Sequence, residues 1–172
     1  MGFSERKLHL LCDLHKSLRD FFGSVVGIRC RGFTLPALLP AVFREHPDST
    51  VIGADTLVFL DGLPLGKPED GEEARSMLRM LSARTHHVCT AVSIRSPLGV
   101  KDLAVLTEVT FRELKEEDIR RYMELVNVMD KAGSYAFQEH GEMIISSVRG
   151  DTDNVIGLPV REVVECLRSL GY

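Results

Sequence analysis

An α/β fold built on a mixed sheet flanked by helices is predicted by three patterns in this 172-residue chain. Val88, Thr90, Val92 and Ile94 alternate, as do Leu103, Val105, Thr107, Val109 and Phe111, and Ser96-Pro97-Leu98-Gly99 supplies a turn between the two runs. That is the pattern of a β-hairpin. Ala74, Met77, Leu78 and Leu81 recur at helical spacing, and residues 51–60, VIGADTLVFL, form an apolar, strand-like run. Antiparallel hairpins mixed with dispersed helices argue for a mixed sheet rather than a purely parallel one.

Taken in order, Leu8, Leu11, Leu18 and Phe22, with Leu14 and His15 between them, predict an opening helix that Ser4 caps and that ends near Gly23. SVVGI at 24–28 predicts a short strand, and residues 34–46 a proline-interrupted helix or loop. After the 51–60 strand, Asp61-Gly62 is a hairpin-type turn, and Lys67 before Pro68 is held extended because a residue preceding proline avoids the helical region. Lys67 is therefore presented rather than packed. The helix carrying Ala74 to Leu81 has Glu69, Asp70, Glu72 and Glu73 at its positive end. Beyond the hairpin, Ile119, Tyr122, Met123 and Val126 predict a helix, 143–148 a strand, and Val160, Val163, Val164 and Leu167 a final helix terminated at Gly171.

Composition narrows the function. Hydrophobic residues make up 44% and charged residues 27%, so a single soluble domain over residues 1–172 is expected. A formal charge of -4 supplies no global basic face, which argues against polynucleotide binding and leaves room for a small anion held by a local cluster. Cys12, Cys30, Cys89 and Cys166 are scattered, without a C-x-x-C pair, and fit a reducing cytosol better than a disulfide framework or a zinc knuckle. Cys12 with His15 gives only half a zinc site. No secretory pattern opens the chain, and LPALLPAVF from Leu35 is far shorter than the roughly 20 residues of a membrane span and carries two prolines. A cytoplasmic protein without membrane contact is expected.

Three places carry chemistry. Asp55 interrupts the apolar run, and a strand interior rarely tolerates a carboxylate. It either forms a turn with Thr56 or orients a water or a divalent ion against a phosphate, with Lys67 neutralising charge there. Arg6 and Lys7 sit where the first turn of the predicted helix disfavours cations; with Ser4 they are either solvated charges or an anion-binding end. In DKAGSYAFQEHG, 130–141, two glycines bracket a loop bearing Lys131, Tyr135 and Gln138, whose amide suits a base edge or a phosphate-bound water. GDTDN at 150–154 lacks the spacing of a calcium loop and is read as a solvated turn; His86 and His87 are read as the start of a strand.

The segments VIGADT, LGKP, LSARTHHVCTAV, MDKAGSYAFQ and NVIGLPV, in this order and spacing, resemble the Maf family of nucleoside triphosphate pyrophosphatases. The resemblance implies an elongated mixed sheet flanked by helices, two lobes with a central cleft, similar to inosine triphosphate pyrophosphatases. It also implies a homodimer, and cleavage of a nucleoside triphosphate between its α and β phosphates with a divalent metal cation, Mg or Mn. Asp55 is the implied general base and Lys67 an implied phosphate contact. GFSERKLHLL, 2–11, is a degenerate copy of the family's opening motif, in which Ser4, Arg6 and Lys7 fall at substrate-binding positions. The strand ahead of that motif is missing, which predicts a truncated start or a sheet without that edge. Leu38 stands where relatives carry a lysine aimed at the phosphates, and Arg29-Cys30-Arg31-Gly32 replaces an acidic stretch. The K-A-G-x-Y-x-x-Q form of the late loop is similar to the subgroup acting on dTTP and UTP, with Thr56, Gln138 and Arg6 where that subgroup selects its base.

Hydrolysis of dTTP or UTP, or of modified pyrimidine nucleotides, to monophosphate and pyrophosphate is the expected activity. A nucleotide-binding regulator of weakened turnover, linked to cell division, is the competing expectation, and a structural subunit completing its sheet with a partner is the third.

Overall fold

The computed structural model describes residues 8–12 and 35–172. Its elements are β1 (Leu8–Cys12), α1 (Leu35–Glu45), β2 (Thr50–Leu60), β3 (Leu63–Leu65), α2 (Gly71–Leu81), β4 (Thr85–Ser96), β5 (Gly99–Phe111), α3 (Glu116–Leu125), β6 (Ile145–Arg149), α4 (Thr152–Ile156) and α5 (Val160–Leu170). One mixed sheet runs in the order β1-β2-β4-β5-β6, with β3 added to β2. β1 is parallel to β2, from Leu8 opposite Thr50 to Cys12 opposite Ala54, whereas β2 with β3 and β5 with β6 are antiparallel. The predicted mixed α/β class is the one observed.

The opening segment corrects the prediction. Residues 8–12 are a strand, not the first turns of a helix, and the strand takes an edge place beside β2. Five residues satisfy both periods: Leu8 and Leu11 fit a helix, while Leu8, Leu10 and Cys12 alternate as a strand does. The neighbouring strand settles the choice by supplying backbone partners. The short strand expected at 24–28 and the remainder of the expected helix lie outside the described residues.

The chain divides into two compact units. The first takes the described residues up to Asp55, with Thr90–Val105 and Gly157–Tyr172. Its core sets Ile52, Ala54, Val92 and Ile94 against Val163 of α5. Gly171, at φ 99°, ends that helix in the left-handed conformation glycine adopts without strain. α1 forms despite Pro40 inside it, which resolves the helix-or-loop alternative for that stretch.

The second unit takes Thr56–Cys89 and Leu106–Ile156. Its core joins Val58, Leu78, Leu81, Phe111, Ile119 and Tyr122. α2 begins where Asp70 Oδ1 accepts the backbone N–H groups of Glu72 (2.9 Å) and Glu73 (2.8 Å), and it buries the four apolar residues its periodicity selects. Asp61 and Gly62 both have positive φ, 51° and 78°, as a type I′ turn between β2 and β3 requires. GDTDN departs from the solvated turn expected of it. It opens α4, and Asn154 is fully buried, donating from Nδ2 to Val88 O (3.1 Å) and Thr107 Oγ1 (2.9 Å).

Candidate active site

β2 is buried at residues 50–54 and 57–60 and only half-buried at Asp55 and Thr56. The carboxylate that interrupts the apolar run thus stands at the one place where the strand is open. A half-buried carboxylate on a rigid strand can accept a proton from a water or serve as one ligand to a cation. Asp55 closes the first unit's opening stretch; Thr56, Lys67 and Gln138 belong to the second.

Lys67 is exposed on the connection from β3 to α2, ahead of the buried Pro68. The carbonyl of Gly66 accepts the N–H of Gly133 at 3.0 Å, so the G-K-P turn is fastened to the late glycine loop. Gly133 is required there on two counts. Its φ is +69°, and a Cβ would stand 3.1 Å from a methyl of Val58 on β2.

The loop from 131 to 139 is held from several sides. Lys131 Nζ pairs with Asp130 Oδ1 at 3.0 Å and Glu139 Oε1 at 3.2 Å, so its charge is used within the loop. Burial opposes that charge, but the two carboxylates outweigh it and hold the ammonium above the ordinary lysine pKa. Ser134 is buried, with Oγ donating to Met77 Sδ (3.2 Å). Tyr135 Oη lies 2.8 Å from His86 Nε2, and both rings meet Phe111 edge-on, at centroid distances of 4.9 and 5.0 Å. Burial, followed by the neighbouring His87, lowers His86 to about 4, and burial raises the Tyr135 phenol. Tyr122, on α3, accepts the Ala136 N–H at 3.0 Å. Gln138 stands exposed at the end of this construction.

The described residues therefore place Asp55 and Thr56 on β2, bring the Lys67 turn and the Gln138 loop together through one backbone bond, and turn Lys131 inward. Ser4, Arg6 and Lys7 lie outside the described residues. His86 and Tyr122, which fasten the loop, show in the sequence only as strand and helix positions. A tyrosine in an apolar helical stripe is nonetheless a signal, since a buried phenol needs a partner.

Fold and site together define a mixed α/β protein whose polar side chains are carried on β2, on the approach to α2 and on one glycine-fastened loop. The chain belongs to the Maf family: the family described as Maf-like protein matches residues 36–170, which include Asp55, Thr56, Lys67 and Gln138. It is 87% identical over 132 residues to the dTTP/UTP pyrophosphatase of Akkermansia muciniphila, covering 77% of this chain and 70% of that protein. It is 48% identical over 128 residues to the protein of the same name in Bacillus velezensis, covering 74% and 68% of the two chains. A third relative so named, in Phocaeicola vulgatus, is 43% identical over 133 residues, covering 76% and 69%.

Proposed function

We propose that this chain hydrolyses dTTP and UTP, or modified pyrimidine relatives, to the nucleoside monophosphate and pyrophosphate. The observation that carries the reading is the 87% identity over 132 residues to a protein named dTTP/UTP pyrophosphatase. In the reaction, water attacks the α phosphorus. As the new P–O bond forms, the bond to the bridging oxygen breaks and pyrophosphate leaves with the electron pair. Asp55 takes the proton that the water gives up, and the hydroxyl stays on the monophosphate. Lys67, Arg6 and Lys7 offset phosphate charge, Ser4 donates to a phosphate oxygen, and Thr56 and Gln138 read the base.

A divalent cation, Mg or Mn, belongs to the proposal, where it would polarise the phosphoryl oxygens. Among the described residues no group of three or more His, Cys, Asp or Glu side chains could hold a metal ion. That donor set suits a cation that would arrive with the triphosphate and take most of its ligands from phosphate oxygens. The two-lobed form similar to inosine triphosphate pyrophosphatases, a homodimer and a cytoplasmic location belong to the same reading and rest on the family resemblance and the cysteine pattern. No helix among the described residues is long and apolar enough to cross a membrane.

Asp55→Asn keeps the size of the side chain and removes its basicity. Pyrophosphate release from dTTP should fall by at least about a hundredfold with the circular dichroism spectrum unchanged. An equally active variant would refute the assignment. Leu38, in place of the family lysine, favours a second reading, a nucleotide-binding regulator linked to cell division. Calorimetric dTTP binding without product under Mg²⁺ or Mn²⁺ would select that reading, and multiple turnovers would remove it.

A further inference from the structure

Of the fastenings on the 131–139 loop, one acts on the turn that carries Gln138 from both its ends. Tyr122 is fully buried on α3, and its oxygen accepts the Ala136 N–H at 3.0 Å. The same hydroxyl stands 3.3 Å from the carbonyl oxygen of Ala136 and 3.4 Å from that of Glu139, so its single proton is shared between the two. Gln138 lies between these anchor points and is exposed, while Tyr122 lies within the core. The phenol remains a donor across the physiological range, because burial pushes it up to about 12. Lys131, bonded to Glu139, adds a second tether at the surface.

We infer that Tyr122 is a positioning residue for nucleobase selection: by gripping residues 136 and 139 it fixes the direction in which the Gln138 amide is offered to the base. The inference rests on the proposed pyrimidine-triphosphate reading and on Gln138 as its base contact. It goes further in assigning a role to a core hydroxyl that never meets the substrate. An aromatic ring would fill the core equally well, so the oxygen is explained by the turn it holds.

Tyr122→Phe removes that oxygen and keeps the ring. Calorimetric Kd values for the non-hydrolysable α,β-imido analogues of dTTP and dGTP, with Mg²⁺, give a selectivity ratio that does not depend on turnover. The ratio should fall by about three- to tenfold in Tyr122→Phe, the worth of one well-placed hydrogen bond. Because Tyr122 acts through Gln138, the double variant with Gln138→Ala should be no less selective than Gln138→Ala alone. An unchanged ratio in Tyr122→Phe, additive losses in the double variant, or a Gln138→Ala protein as selective as its parent would each overturn the inference. If Tyr122→Phe does not fold, Tyr122→Leu, which fills the core without the hydroxyl, takes its place; a lower ratio then supports the inference, and an unchanged ratio or additivity with Gln138→Ala overturns it. Absence of pyrophosphate release from the parent chain would strike the proposed hydrolysis and leave this binding test standing.

Discussion

His86 shows how much one buried side chain can contribute. Its ring is fully buried, Nε2 meets Tyr135, and Nδ1 has no hydrogen-bond partner among the described residues. Protonation would put a second N–H into apolar surroundings beside Phe111 and close to His87. The folded-state pKa, about 4, is therefore below the unfolded value near 6.5, and the unfolded chain binds more protons between those limits. Stability from this group is complete above about pH 6.5 and is lost as pH falls toward 4, a total of about 3 kcal/mol. Urea midpoints measured from pH 7 to 4.5 should fall, and in His86→Gln that slope should shrink by close to one proton. A slope that survives the substitution would assign the effect to another group. None of this is legible in the sequence, where His86 only begins a strand, because its partner Tyr135 is 49 positions away and the contact is purely tertiary. Asp55 and Lys67, by contrast, announce themselves locally, one as a carboxylate in an apolar run and the other by the proline that follows it.

Elements are readable where one period dominates and misleading where two compete or where a polar residue is the anchor. α2, α3, α5 and the β4 to β5 hairpin follow their apolar spacing closely, since each buries one face and is capped or turned by residues of known chemistry. β1 is too short for its period to decide. α4 escapes the sequence because its anchor is Asn154, a residue that ordinarily signals a turn. Here its amide ties α4 to the carbonyl of Val88 on β4 and the hydroxyl of Thr107 on β5, and Thr107 Oγ1 in turn donates to Asp151 O at 2.9 Å. Gly150, just before, could not carry a Cβ without approaching Thr107 Oγ1 to 3.1 Å, so the chain is drawn close to β5 at this point. Asn154→Leu, which matches the volume and removes the donors, leaves the buried Val88 carbonyl short of a partner and should cost about 1–3 kcal/mol in urea denaturation. A neutral or stabilising result would show that α4 is held by packing alone.

At the scale of the whole molecule the governing fact is sign. The chain carries a formal charge of -4, and a nucleoside triphosphate is also strongly anionic, so the long-range field does not draw substrate in. Beyond roughly a Debye length of 8 Å that mutual repulsion is screened at physiological ionic strength, and affinity must come from cations placed at contact distance. The described part of the proposed site carries Lys67, and the neighbouring Lys131 pairs with Asp130 and Glu139. Arg6 and Lys7 would add two charges, whereas Leu38 brings none. That deficit makes a divalent cation weigh more heavily here than in a lysine-rich site, because a metal-bound triphosphate arrives with half its charge already offset. Two measurements follow. EDTA should lower dTTP hydrolysis by at least about a hundredfold, with Mg²⁺ or Mn²⁺ restoring it, since each lost contact to a developing phosphate charge is worth that order in rate. It should also weaken calorimetric dTTP binding to Asp55→Asn, in which turnover is expected to be lost, so the requirement can be read from affinity alone. Metal-independent hydrolysis would mean that the protein's own cations suffice, and Lys67→Ala should then abolish the activity that EDTA leaves.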